Sequence, residues 1–277
     1  MLNTLRVAVL LPLGLCGTVA MGQAATPDPA DTLFDALQLA DIIAIMREEG
    51  VDYGQDIDTD LLSSRGGAGW ADTVDDIYDV DAMTDLVKRE LAANLDGDSV
   101  DPAIAFFEGT LGQQIISLEV SARRALLDEA LDEAAKDAAT IAMADRTDRF
   151  VQLETFVTVN DLIETNVVGA LNANYAFMTG LESGLMSQTA TEEEILSDVW
   201  QQEPDIRRNT TEWVYSFLNM AYQPLDDAEL DAYIAFSDTE AGQALNAAMF
   251  AAFDAMFTDI SAQLGRESAV VLSGQDI

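Results

Sequence analysis

The chain has 277 residues, 49% of them hydrophobic, and its 50 acidic residues against 13 basic ones give a formal net charge of −37. That apolar content belongs to a globular chain rather than a disordered one, and the length suits one large domain or two. So negative a field repels nucleic acid and anionic lipid surfaces and attracts cations or basic partners. Its plainer reading is solubility in salty surroundings, where ions screen self-repulsion.

Met1 to Arg6 carries one positive charge and no acid, Val7 to Ala20 is almost wholly apolar, and the small Gly22 and Ala24 follow. Residues 1–24 therefore read as a signal peptide cleaved before Ala25, too short for a transmembrane span; an uncleaved anchor is the alternative. A lipid anchor at Cys16 is disfavoured because Leu15, rather than a small residue, precedes it. No later stretch is long and apolar enough to span a bilayer, so no stable membrane insertion is expected after cleavage. Cys16 is the only cysteine, so the mature chain is expected to lack disulfides. The expected location is the periplasm or the extracellular medium.

Only six prolines occur, and Ala, Leu, Glu and Asp fill long stretches, which favours helix over strand. The fold class expected is all-α, a helical array or bundle. The first helices are expected around 31–49 and 71–94. Between them, Asp56, Asp58 and Asp60 alternate like the opening of a calcium loop, but Leu61 at the sixth position and Gly67 at the twelfth exclude an EF-hand. A looser calcium site made from these acids, or from Asp96 and Asp98, stands beside solvated loop charge; otherwise no cofactor is expected. Arg65-Gly66-Gly67-Ala68-Gly69 lacks the Lys-Ser/Thr ending of a P-loop and reads as an inter-helix turn that lets Trp70 dock.

Asp101-Pro102 reads as an N-cap followed by proline at the first helical position. From Thr110, Leu111, Ile115, Leu118, Ala122, Ala125 and Leu126 form an apolar stripe. The opposite face carries Glu119 with Arg123, then Asp132 with Lys136, as i, i+4 pairs. Further helices are expected around 147–182, 192–202 and 206–222, with capping boxes at Thr191/Glu194 and Asp226/Glu229. In 206–222, Trp213, Phe217 and Met220 share one face and read as core. Tyr215 and Tyr222 fall away from it and are candidate linings of a groove for a peptide or acyl chain. A last long helix starts near Glu240, with Leu245, Met249, Phe253, Met256, Ile260 and Leu264 in one stripe widened by Phe250 and Phe257, a width that implies several neighbours.

Ile104-Ala105-Phe106-Phe107-Glu108-Gly109-Thr110-Leu111-Gly112-Gln113 aligns with Ile234-Ala235-Phe236-Ser237-Asp238-Thr239-Glu240-Ala241-Gly242-Gln243, 130 residues further on. Upstream, Leu95-Asp96 meets Leu225-Asp226 and Trp70 meets Trp200. Two pseudo-repeated helix-pair units explain this, residues 25–150 forming one repeat and 151–277 the other. The motif residues Phe106, Gly112, Gln113, Phe236, Thr239, Gly242 and Gln243 read as a structural corner: a short helix ends, a turn follows, and Thr239 caps a longer helix. Glycine in a first helical turn costs about 1 kcal/mol against alanine, which makes sense where another segment passes too close for a Cβ.

The Ile-Ala-Phe, spacer, Ser/Thr, Gly-Gln pattern resembles the bacterial domain of unknown function 2059 family, most closely from Pro224 to Phe257. The copy from Asp96 to Arg124 departs from it by placing Gly109 where Ser/Thr is expected. The resemblance implies an exported helical protein and supplies no catalytic residues.

With no histidine in the chain, Ser-His-Asp and Cys-His catalysis, histidine zinc sites and the Glu-x-x-His di-iron signature are all excluded. Neither Lys88 nor Lys136 has a serine three residues upstream, so a Ser-Lys hydrolase is unsupported. The function expected is a binding or protein-interaction module whose partner is a protein or peptide of basic character. The alternative is a carboxylate-based hydrolase or lyase, with or without calcium, for which a buried acid beside Trp70, Trp200 or Trp213 is the place to look.

Overall fold

The computed structural model describes residues 28–95, 97–185 and 190–274. Among these residues there are thirteen helices and no strand, so the fold is all-α. In chain order they are α1 (Pro29–Ala36), α2 (Leu39–Asp60), α3 (Gly67–Ile77), α4 (Val80–Asn94), α5 (Gly97–Phe107), α6 (Thr110–Ala125) and α7 (Glu129–Asp145). Then follow α8 (Asp148–Val159), α9 (Leu162–Gly184), α10 (Glu192–Trp200), α11 (Glu203–Ala221), α12 (Asp227–Ser237) and α13 (Glu240–Leu272). The proposed signal peptide lies outside the described residues.

Side-chain caps set many of the boundaries. Thr191/Glu194 and Asp226/Glu229 form reciprocal capping boxes, and the Thr239 hydroxyl accepts from the Gly242 N–H at 3.1 Å. Each satisfies donors that a helix start leaves open and puts acids where the helix dipole favours them.

Three of the expected helices in α1–α4 and α8–α9 are divided. The segment expected at 31–49 breaks at Gln38 and runs on to Asp60, and the one at 147–182 breaks at Asp161. These two residues sit in the left-handed region, at φ 50° and 49°. One such residue costs about 1–2 kcal/mol and redirects the chain without disturbing the apolar period on either side. The segment at 71–94 breaks between Tyr78 and Asp79, whose carboxylate caps α4 through the Ala82 N–H at 2.8 Å. Pro102 does not open its helix: α5 begins at Gly97 and the proline lies inside it, where it removes a single backbone donor.

Helices α1–α6 and α8–α13 follow the same plan on either side of α7. A short helix, a left-handed residue and a long helix are followed by two connecting helices, a short helix and a second long one. Every substantial pairing of helices within α1–α6 has its counterpart within α8–α13. One apolar core runs through both sets, from Leu33 to Val271. Its centre is α13, whose 33 residues span about 50 Å and which packs on α3, α4, α5, α9 and α12. All six residues of its expected stripe, and Phe257, are buried.

Helices α9 and α13 run side by side in the same direction, as successive contacts show: Asn160 with Asn246, Asn172 with Asp254, Gly180 with Ala262. Their backbones come so close that a Cβ on Gly265 would lie 2.1 Å from the Phe177 carbonyl oxygen. Only glycine admits that approach.

Candidate functional site

The two aligned segments build corners with matching glutamine bonds. Gln113 Nε2 donates to the carbonyls of Ala36 (3.0 Å) and Phe107 (2.7 Å), and Gln243 Nε2 donates to those of Val159 (2.8 Å) and Ser237 (2.7 Å). Each glutamine thus satisfies carbonyls at the ends of two short helices, which would otherwise lack partners. A Cβ on Gly112 would meet Phe106 O at 2.2 Å, and one on Gly242 would meet Phe236 O at 2.3 Å. Thr239 has no counterpart cap in the first corner, where Gly109 precedes α6 with no side-chain bond. The two corners touch through Phe106 and Phe236, stacked at 4.1 Å and 10°. Trp70 and Trp200 do not share equivalent places. Trp70 lies in the first turn of α3, is buried and donates to Gly54 O at 2.7 Å, whereas Trp200 closes α10 in solvent.

Beside the corners lies a polar cluster that helical periodicity placed on the outside. Glu119 and Arg123, expected as a solvent-facing pair, are 0% and 1% exposed, because α2, α5 and α11 sheathe α6. Tyr222 Oη donates to Glu119 Oε1 at 2.5 Å and Tyr233 Oη lies 3.5 Å from the same oxygen. Arg123 Nη2 donates to Glu49 Oε2 at 2.5 Å, and its guanidinium sits 5.9 Å from the Trp213 ring. Tyr222 is therefore not a groove lining; it is fully buried and fixes Glu119. Tyr215 is half-buried against Phe150, with ring centroids 5.0 Å apart.

Burial pushes the Tyr53 hydroxyl up to about 12, with Asp56 adding to it. Tyr222 and Tyr233 are raised well above the usual tyrosine value by burial, then by the charge of Glu119, and Tyr78 is raised by burial first. In the unfolded chain tyrosine ionises near about pH 10, so above that pH the unfolded state sheds protons that the native state keeps. Their stabilising contribution is fully present below about pH 10 and falls as pH rises toward 12 and beyond. Tyrosinate absorbance from these residues is expected to appear together with loss of helical circular dichroism in an alkaline titration. Ionisation of all four while the helices persist would contradict their burial.

The cluster is poorly suited to two-carboxylate catalysis. Among the described residues the fully buried acids are Glu119, engaged by the tyrosines, and Asp132, which holds Lys136 at 3.0 Å. A cavity of about 60 Å³ between the C-terminal corner and α8 is walled by Phe107, Phe156, Tyr233, Phe236, Met249 and Phe250. Neither acid lines it. Asp56, Asp58 and Asp60 fall in the last turns of α2 rather than in a loop, and Asp58 accepts the Gly66 N–H at 2.8 Å. No group of three metal-ligating side chains converges among the described residues. Asp96 lies outside them, and so does the Asp98 side chain.

The outer surface carries what periodicity did not separate. The helix expected to run on from Thr110 ends at Ala125, and α7 starts afresh on the Asp128 cap. Helix α7 turns Asp132, Ala135 and Ala139 inward. It leaves Leu131 45% and Ile141 62% exposed, with Ala134 and Ala138 exposed between them. On α10, Leu196 and Trp200 are 57% and 66% exposed, one turn apart. No described helix is long and apolar enough to cross a membrane. Compared with protein-family models, curated proteins and solved structures, the chain matches none of them.

Proposed function

We propose that this chain is an exported binding module that recruits a basic polypeptide outside the cytoplasm. The observation that carries this reading is the set of large apolar side chains, Leu131, Ile141, Leu196 and Trp200, held in solvent on otherwise acidic helices. Leu131 and Ile141 share α7 and Leu196 and Trp200 share α10; contiguous exposed apolar patches mark interaction sites, and the negative field speeds the approach of a positive partner. Export rests on the signal-like residues 1–24. The matched corners and the matched helix pairings support the reading that two copies of one six-helix unit were joined through α7. The likeness of the corner motif to the domain of unknown function 2059 family belongs to the same proposal.

Chemical crosslinking and affinity capture of the tagged chain from a bacterial periplasm, read by mass spectrometry, tests it. One near-stoichiometric partner that is lost at high salt is the expected result. No recurrent partner at low or high salt would remove the interaction reading.

A further inference from the structure

Resting on that reading, we infer that α7 is the docking platform and that its occupant is a basic amphipathic helix of the partner. Helix α7 packs substantially on α11 alone, so most of its circumference is free. On α7, Leu131, Ala134, Ala138 and Ile141 follow one another at intervals of three, four and three residues. Alternating steps of three and four are the spacing of a seam between two helices, and this seam runs for about 15 Å along the axis. None of the four residues is buried in the chain's own core. The small Ala134 and Ala138 at its middle let a second helix approach closely.

The charge around the seam selects the occupant. Asp137 and Glu133 lie along its outer edge and Asp128 and Asp145 close its two ends. Of these, Glu133 is bridged by Lys136 at 2.9 Å. A second copy of this chain would bring the same acids, and a net charge of −37, against themselves, and like charges across a helical seam select against that pairing. A helix with an apolar stripe flanked by Lys and Arg meets both the seam and its rim.

The test uses the full chain and a labelled peptide about three heptads long, with Leu at the a and d positions and Lys elsewhere. A scrambled peptide of the same composition measures attraction to the acidic surface alone. By fluorescence anisotropy the patterned peptide is expected to bind at least about tenfold tighter than the scrambled one. Leu131→Ser with Ile141→Ser is expected to abolish that preference with helical circular dichroism unchanged, and Trp200→Ser to leave it intact. Ala138→Lys, at an exposed position that tolerates lysine in a helix, reads the same seam by charge should the double variant lose structure. Equal binding of the two peptides, or a preference that survives both α7 changes, overturns the proposal. So does a concentration-dependent dimer that the α7 changes dissociate, which would make the occupant a second copy. Each of these outcomes, beside a salt-sensitive partner in the capture experiment, removes α7 and its helix but not the interaction reading.

Discussion

Replacing Arg123 by alanine is expected to lower the unfolding free energy by about 3 kcal/mol, at the low end for breaking a buried ion pair because Glu49 keeps some solvent. The guanidinium is 1% exposed, its Glu49 partner's side chain 30%. Alanine removes the charge-assisted bond to Glu49, the contact with Trp213 and a large buried volume at once. For a chain of this size that corresponds to a fall in Tm of about 6–12 °C. Arg123→Met, which restores most of the volume, is expected to recover part of the loss. A double-mutant cycle with Glu49→Gln then isolates the pair from the packing. Urea denaturation of the four proteins is the measurement, and an Arg123→Ala midpoint equal to that of the wild type would show that the pair adds nothing net.

Gly265→Ala is expected to have an effect of similar size by a different route. Its Cβ would sit 2.1 Å from the Phe177 carbonyl oxygen and 2.8 Å from the Leu181 nitrogen. These are backbone atoms, which cannot rotate aside as a side chain would, so α9 and α13 must separate along their shared length. Overpacking of this kind costs about 1–3 kcal/mol and sometimes more; the upper end is expected because α13 contacts five other helices. Gly97→Ala is the control: nothing lies within 4 Å of its Cβ, and the change is expected to be neutral or slightly stabilising through the unfolded state. Equal melting temperatures for the two variants would mean that the helices adjust without strain.

Much of this architecture was legible in the residues because local chemistry determines it. The capping boxes at Thr191 and Asp226, the Thr239 cap and the stripe of α13 depend on neighbours within a few positions. The breaks at Gln38 and Asp161 were not legible, since a single left-handed residue leaves the hydrophobic period intact and neither position is glycine. Glu119 and Arg123 misled for a related reason. An acid and a base four residues apart read alike on a wet face and inside a core; distant partners decide between them, Tyr222 and Tyr233 for Glu119 and Glu49 for Arg123. The α7 surface was hidden because the run from Thr110 to Lys136 read as one periodic segment. The turn at Leu126–Asp128 divides it and rotates Leu131 and Ile141 away from the core. Of the two candidate groove linings, Tyr222 is covered by neighbouring helices and Tyr215 only in part, against Phe150.

The stack of Phe106 on Phe236 has a consequence for how such a chain can change. Where two identical subunits meet on a symmetry axis, one residue faces its own copy, and any substitution alters both sides of the contact together. If the two sets of helices arose from one duplicated unit, joining them in a single chain lifts that restriction. Each ring can then mutate while the other stays. Around the stack the two corners differ: Ser237 stands in one where Phe107 stands in the other, and Thr239 where Gly109 stands. On that condition the aromatic pair would keep the self-facing geometry while its surroundings drift apart, and one corner could take on a new task while the other continues to hold the fold.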